Sequence, residues 1–308
     1  MTETDPRRRA LVWLVPGLLA AVLGLLHVQR PALWADELAT WGATTAPWPD
    51  LWGMLREADL VMAPYYVLMH LWVQVAGASE VALRLPSVAA TTVAAGLLAV
   101  LGTRLATPRA GLLAGVLFAL LPATSRYAQE ARVYAFAVCA AVLATLLLLC
   151  ALDRPGTGRR LAYAGAVAAL GLAHPIGLLL LAAHGVAVVV TDRPQTAAWA
   201  RSAALGAAAA LPLAVAGYAG QRGQIGWIPP ADGARLAAFP GELFDSTVVG
   251  GIVVALALLA VSWRPPALLP ALWALAPAVA LLVVSAVTPL WVPRYLLFTL
   301  PAWRCWPG

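Results

Sequence analysis

Tyr134-Ala-Phe-Ala-Val-Cys-Ala-Ala-Val-Leu-Ala-Thr-Leu-Leu-Leu-Leu-Cys-Ala-Leu152 runs for nineteen residues without a charged side chain. As a helix it would rise about 28 Å, close to the roughly 30 Å of a bilayer's hydrocarbon core. Eight further apolar runs surround it: Ala10–Val28, Leu85–Ala106, Ala110–Thr124, Leu161–Ala173, Ile176–Val190, Ala203–Tyr218, Val248–Trp263 and Ala267–Val287. The shorter ones, Ala110–Thr124 among them, can borrow flanking residues to complete a crossing. The chain is 62% hydrophobic and 11% charged, where a soluble domain carries about 25% charged residues. Its mean hydropathy is +0.83. Only a bilayer makes such an excess of Leu, Ala and Val cheap to display. The expected fold is all-α: a single domain over residues 1–308, a polytopic transmembrane bundle of about 9–10 helices.

All 20 basic residues are arginine, and the net charge is +6. The arginines are dispersed over short loops instead of forming one patch, which argues against nucleic acid as a partner. Cys139, Cys150 and Cys305 have no metal-site spacing and read as small packing residues. Arg7–Arg9 precede a long apolar run without a clear small-x-small cleavage site before Gln29, so the run reads as an uncleaved first helix. There is no GxxxxGK loop, and ATP is not expected as the energy source.

Arginine placement orients the chain. With Arg7–Arg9 in the cytoplasm, and with the apolar piece Pro64–Gly77 lying in the interface without crossing, the cytoplasmic loops collect Arg104, Arg109, Arg154, Arg159, Arg160, Arg193, Arg201 and Arg264. Eleven arginines then face inward against four acids, and the other ten acids face outward. The external segments are 29–84, with Trp34, Trp41, Trp48, Trp52 and Trp72, and 219–247, with Trp227. Tryptophan favours the headgroup layer, so 29–84 is expected to hold short interfacial helices. The expected location is the cell membrane, multi-pass, with membrane lipids as neighbours and the N-terminus cytoplasmic.

Three polar groups on the outer side are candidates for chemistry. Asp36 and Glu37 lie just beyond the first helix beside Trp34, where a carboxylate can act as a general base. Arg126, Tyr127, Gln129, Glu130, Arg132 and Tyr134 follow one another at the outer mouth of two apolar runs. On a continuous helix Arg126, Tyr127, Glu130 and Tyr134 would share a face, with Arg126–Glu130 as an i,i+4 pair. Arg294 and Tyr295 open the last segment, and a lone external arginine suits a phosphate. His174 sits at an outer junction before Pro175, and His70 lies beside Trp72. His27 and His184 read as packing residues. No HxxxH-like spacing points to a metal site, and a divalent metal is left open.

In order along the chain come the acidic pair, Pro64-Tyr65-Tyr66 with His70-Leu71-Trp72, Ser79-Glu80 with Arg84-Leu85-Pro86-Ser87, Tyr127-Ala-Gln-Glu-Ala-Arg132 with Tyr134-Ala135, a His at the next outer junction, Trp227-Ile-Pro-Pro230 and Arg294-Tyr295-Leu296. This order resembles the bacterial polytopic glycosyltransferases of the GT-C fold group. These are the protein O-mannosyltransferase-like and aminoarabinose-transferase-like enzymes of glycosyltransferase family 39. The resemblance implies a polyprenyl-phosphate sugar donor, an external active site, inversion at the anomeric carbon and Asp36 as the base. Glu37 and Glu130 would shape the pocket, Arg84, Arg132 or Arg294 would stabilise the phosphate, and Tyr127, His174 and Tyr295 would complete the substrate site. No cofactor beyond the lipid-linked donor is implied, and the acceptor is not named. Val61-Met-Ala-Pro64 departs from the family's usual His-Pro-Pro. The tail Arg304-Cys-Trp-Pro-Gly308 stops the last segment early, so the C-terminal part of the usual architecture is expected to be missing. A transporter or flippase, or an inactive truncated family member, are the competing readings.

Overall fold

The computed structural model describes residues 6–220, 226–260 and 267–304. Arg264, the tail from Cys305 and part of the segment 219–247 lie outside the described residues. Among the described residues all regular structure is helical. The chain opens with α1 (Pro6–Leu25), α2 (Ala35–Thr45), α3 (Trp48–Met54) and α4 (Ala63–Ala76). A π-helical turn at Leu55–Asp59 and a 3-10 turn at Leu60–Met62 join the last two. Then follow α5 (Glu80–Leu105), α6 (Pro108–Ala119), α7 (Pro122–Ala128), α8 (Tyr134–Asp153), α9 (Thr157–Ala173), α10 (Leu180–Thr191), α11 (Thr196–Gly220), α12 (Gly233–Phe244), α13 (Thr247–Ala260) and α14 (Leu268–Ser285). A 3-10 stretch, Pro293–Arg304, comes last. It is packed into the core: Leu296, Leu297, Phe298, Leu300 and Ala302 are all buried.

This is an all-α polytopic membrane fold. Glu80–Leu105, Tyr134–Asp153, Arg193–Gly217 and Leu268–Ser285 are each long and apolar enough to cross a bilayer, and two bent pairs raise the number to six. The run Ala110–Thr124 is one of those pairs. It bends by 62° between α6 and α7, because Pro122 opens α7 and cannot continue the hydrogen-bond ladder of α6. The other bend is 98°, between α12 and α13, with Asp245 left-handed at φ 55°.

α5 is the spine, packed against α1, α6 and α8. Ser79 starts it by accepting a hydrogen bond from the Ala82 amide. Small residues let the backbones meet: a Cβ on Gly111 would lie 2.3 Å from the Ala99 carbonyl, and one on Gly115 would lie 2.7 Å from Pro16. In a bilayer, where lipid is as apolar as leucine, such close approach is a main source of helix association.

Charge separates the two ends of the bundle. One end gathers the start of α5, the end of α7, the start of α8 and the end of α9, with Arg84, Glu130, Arg132 and His174. The opposite end carries Arg104, Arg109, Arg154, Arg159, Arg160, Arg193 and Arg201. There Arg104 pairs with Asp153 at 2.5 Å, and the Gln195 amide donates to the Leu152 carbonyl at 2.9 Å.

Two sequence expectations are corrected. His27 is not a packing residue; it is exposed and takes a left-handed conformation, φ 61°, just past α1. Residues 126–134 are not one helix. α7 ends at Ala128, and α8 begins at Tyr134. Between them the Ala131 N–H donates to the Glu37 carboxylate at 2.8 Å instead of to a helical carbonyl. The Arg126–Glu130 pair forms nonetheless, at 3.3 Å.

Candidate functional site

Asp36 and Glu37 lie in the first turn of α2, and they face different surroundings. Neighbours on a helix project about 100° apart. Glu37 points inward and is 1% exposed. Its carboxylate takes a two-pronged pair from Arg84, Nε at 2.8 Å and Nη2 at 2.7 Å. Arg84 spends its other terminal nitrogen on the Val28 and Pro31 carbonyls, at 2.7 and 2.9 Å. This cluster ties α2, α5, the end of the first helical segment and the α7–α8 turn together. The expectation that Arg84 holds a phosphate is therefore corrected. Each of its nitrogens is already committed inside the protein, and it is itself 1% exposed. Glu37 is likewise a structural anchor rather than a free carboxylate.

Asp36 faces a space between three segments. Its Oδ2 lies 3.8 Å from Arg132 Nη2 and 3.7 Å from Arg294 Nη2. Both distances exceed hydrogen-bond length. Arg132 also donates to the Asp36 carbonyl at 3.3 Å. Arg294 is held between two indoles, 5.8 Å from the Trp34 ring and 5.6 Å from that of Trp227, which keeps a cation in place without neutralising it. Nε of Arg132, Nε of Arg294, Nδ1 of His174 and Oε2 of Glu130 are buried and have no hydrogen-bond partner among the described residues. Buried polar atoms are nearly always satisfied, and these four leave donors and acceptors free for the polar groups of a ligand.

The aromatic residues form one wall. Tyr127 meets Tyr134 at 5.6 Å, Tyr134 meets His174 at 6.0 Å, and His174 meets Tyr295 at 5.1 Å between ring centres. Burial, helped by Arg132 and Arg294, pushes His174 down to about 4, so the ring is neutral near pH 7. Burial also raises the Glu130 carboxyl, against the pull of Arg126.

Two openings flank this centre. An apolar groove of about 590 Å³ runs between α4, α5, α8 and α9, with Tyr65, Trp72, Pro86, Val133, Phe136 and Ala173 in its walls. A polar cleft of about 520 Å³ lies between α7, α12 and the 3-10 stretch, lined by Arg126, Tyr127, Glu242, Asp245, Ser246 and Arg294. Arg126 crosses that cleft to Asp245 at 2.5 Å.

The fold thus gathers Asp36, Tyr127, Glu130, Arg132, His174, Arg294 and Tyr295 from distant segments, and withdraws Glu37 and Arg84 into the framework. Asp59, counted in the sequence only among the outward acids, and Tyr66, quoted only within Pro64-Tyr65-Tyr66, were not named as site residues. Tyr66 donates to Asp59 at 3.1 Å, and Arg132 reaches the Tyr66 oxygen at 3.5 Å. Burial raises the Asp59 carboxyl and pushes the Tyr66 phenol up to about 12. No helical spacing announces the pair, because the chain passes from a π turn ending at Asp59 through a 3-10 turn into α4. His70, read beside Trp72, instead stacks on Trp48 at 4.2 Å. Among the described residues no three His, Cys, Asp or Glu side chains converge in metal-binding fashion.

Residues 62–217 match the family model described as dolichyl-phosphate-mannose-protein mannosyltransferase. That range is just over half of the chain, and it includes Arg84, Arg132 and His174 but not Asp36 or Arg294. No curated protein and no solved structure matches the chain.

Proposed function

The chain belongs to the dolichyl-phosphate-mannose-protein mannosyltransferase family, whose members are membrane glycosyltransferases of the GT-C type, and from that premise we propose that it moves a mannose-like sugar from a polyprenyl phosphate to a hydroxyl acceptor on the external face of the cell membrane. One observation carries the reading. Asp36 stands within 4 Å of two arginines that keep unused N–H donors, and Val133 and Ala173, the chain neighbours of Arg132 and His174, line an apolar groove.

Each element of the reaction has a place. The groove between α4, α5, α8 and α9 takes the polyprenyl tail, since its walls are almost wholly apolar. Arg132 and Arg294 hold the phosphate, for which a guanidinium fork is suited. The acceptor approaches through the polar cleft on the opposite side of Arg294. Asp36 takes the proton from the acceptor hydroxyl. The acceptor oxygen bonds to the anomeric carbon as the bond to the phosphate oxygen breaks, and the configuration inverts in this single displacement. A lipid phosphate leaves readily, so cationic stabilisation counts for more than a general acid. Neutral His174 and Tyr295 shape the sugar pocket. Glu37 and Arg84 act indirectly, by fixing α2 and the turn that bears Arg132.

The test is a donor screen. Purified protein is given polyprenyl phosphates carrying different radiolabelled sugars, and release or transfer of the label is followed with and without candidate acceptors. Label should move from at least one donor, and the wild-type rate should exceed that of Asp36→Asn. An absence of transfer and of hydrolysis from every polyprenyl-phosphate sugar defeats the reading.

A further inference from the structure

We infer that the groove between α9 and α11, at the arginine-rich end of the bundle, is a binding site for the phosphate headgroup of an anionic phospholipid, clamped between Arg160 and Arg201. The site is remote from Asp36 and does not depend on the proposed reaction.

The two arginines share a height because of helix packing. α9 and α11 both start at this end and run side by side. Gly206 makes the close contact: a Cβ there would lie 2.4 Å from the Ala164 carbonyl and 2.7 Å from Val167 Cβ. Further along, a Cβ on Gly171 would lie 2.7 Å from that of Ala210. With 164 opposite 206, residue 160 falls opposite 201 and 202. Both guanidinium side chains line one cavity of about 230 Å³, together with Thr157, Ala198, Ser202 and Leu205.

Two like charges held at one level repel each other; Arg160 is half-buried and Arg201 exposed, so both are open to a ligand from the membrane surface. A protein normally answers with an acid. Among the described residues the acids of this end are engaged elsewhere. Asp153 pairs with Arg104, and Asp192 is bonded to the Gln195 amide. Arg160 and Arg201 have no ion-pair partner among the described residues. Both guanidinium groups are therefore available to an anion from outside the protein.

The groove's lower part identifies the anion's carrier. Leu161 and Leu205 are 54% and 57% exposed on the same side, and each lies at or below its arginine in the apolar layer. A free phosphate has no use for them. A phospholipid lays an acyl chain along the leucines and its phosphate between the arginines. Basic pockets between transmembrane helices bind anionic headgroups in this way.

The experiment is native mass spectrometry of the full chain released from detergent, after incubation with equimolar phosphatidylglycerol and phosphatidylcholine of identical acyl chains. Wild type should retain phosphatidylglycerol about tenfold over phosphatidylcholine. Arg160→Gln with Arg201→Gln should lower the ratio to near one, and so should Ala198→Trp, which fills the groove and leaves both charges. Arg109→Gln with Arg193→Gln removes two charges of the same end outside the groove and should keep the ratio. An unchanged ratio in the Arg160/Arg201 pair overturns the site. So does equal loss in the Arg109/Arg193 pair, which would mean diffuse attraction. Displacement of the lipid by millimolar inorganic phosphate would make it a free-anion site and overturn the lipid assignment.

Discussion

His184 and Arg132 are both polar side chains enclosed by an apolar bundle, yet their surroundings differ in completeness. His184 is fully buried among α8, α9, α10 and α11. Tyr163 donates its hydroxyl to His184 Nδ1 at 3.0 Å, and Trp199 Nε1 donates to the Tyr163 oxygen at 3.0 Å. Nε2 of His184 donates to Thr145, 3.1 Å away, and Thr145 donates to the Ala141 carbonyl at 2.8 Å. The partners assign the proton to Nε2, and every polar atom of the group is used. Around Arg132 the count does not close. Its Nε, Nε of Arg294, Nδ1 of His174 and Oε2 of Glu130 find no partner among the described residues. A closed network fixes four helices in one register. An open one holds donors and acceptors in readiness, at a cost in stability of about 1–3 kcal/mol for each unmade bond. The His184 network is thus a closed framework, and the Arg132 cluster is the open one on which the proposed chemistry rests.

Four experiments press on that contrast. Removing the base should have the largest effect. Asp36→Asn keeps the shape and is expected to lower turnover about 10²–10⁴-fold, the usual worth of a positioned base. The thermal midpoint in detergent should stay at the wild-type value, and donor binding should survive. Near-normal turnover would take the proton-acceptor role away from Asp36.

Next comes the framework beside it. Glu37→Ala leaves Arg84 as a buried cation without its partner, which costs about 3–5 kcal/mol. The folded, monodisperse fraction should collapse on mild heating. If Glu37→Ala melted like wild type while turnover fell, Glu37 would belong to the chemistry and the division drawn here would fail.

Tyr163→Phe tests the closed network. It deprives His184 Nδ1 and Trp199 Nε1 of their partner at once, and about 1–3 kcal/mol of stability should go with them. The specific activity of the protein that remains folded should not change. A lowered activity at an unchanged melting point would place His184 in a functional pathway.

The last effect expected is one of pH. His174 lies at about 4 in the folded chain against an ordinary 6.5. Between those values the unfolded chain binds the extra proton, so the stability contributed by neutral His174 is complete above about 6.5 and drains away as pH falls towards 4. Melting curves at pH 7 and pH 4.5 should differ more in wild type than in His174→Asn. Equal acid sensitivity in the two proteins would show that the histidine is not held neutral.

Much of the bundle could be read along the chain because the bilayer acts in one dimension. A crossing demands about 20 apolar residues wherever it occurs, and nine runs in the sequence reappear as helical segments. Interruptions were harder to see. The turn at 129–133 forms because the Ala131 amide is claimed by a carboxylate 94 residues away, and no local pattern announces such a partner. Arg84 misled for a related reason. An arginine near an outer helix end suits a phosphate as well as it suits a buried glutamate, and only its neighbours decide. Asp59 was counted only as one of ten outward acids, since its bond from Tyr66 depends on how the 55–62 turns join α4.

By itself the sequence determined a polytopic helical membrane protein with arginines gathered at one end, since composition and period are properties of the chain alone. It also named Asp36 and Glu37 together as candidates for the chemistry. Only the tertiary structure separated them. Adjacent residues on a helix diverge by about 100°, so one carboxylate was turned into the core against Arg84 and the other towards Arg132 and Arg294. Which way α2 rolled depended on where α5 and the α7–α8 turn stood, and that is a fact of packing between segments that the order of residues does not state.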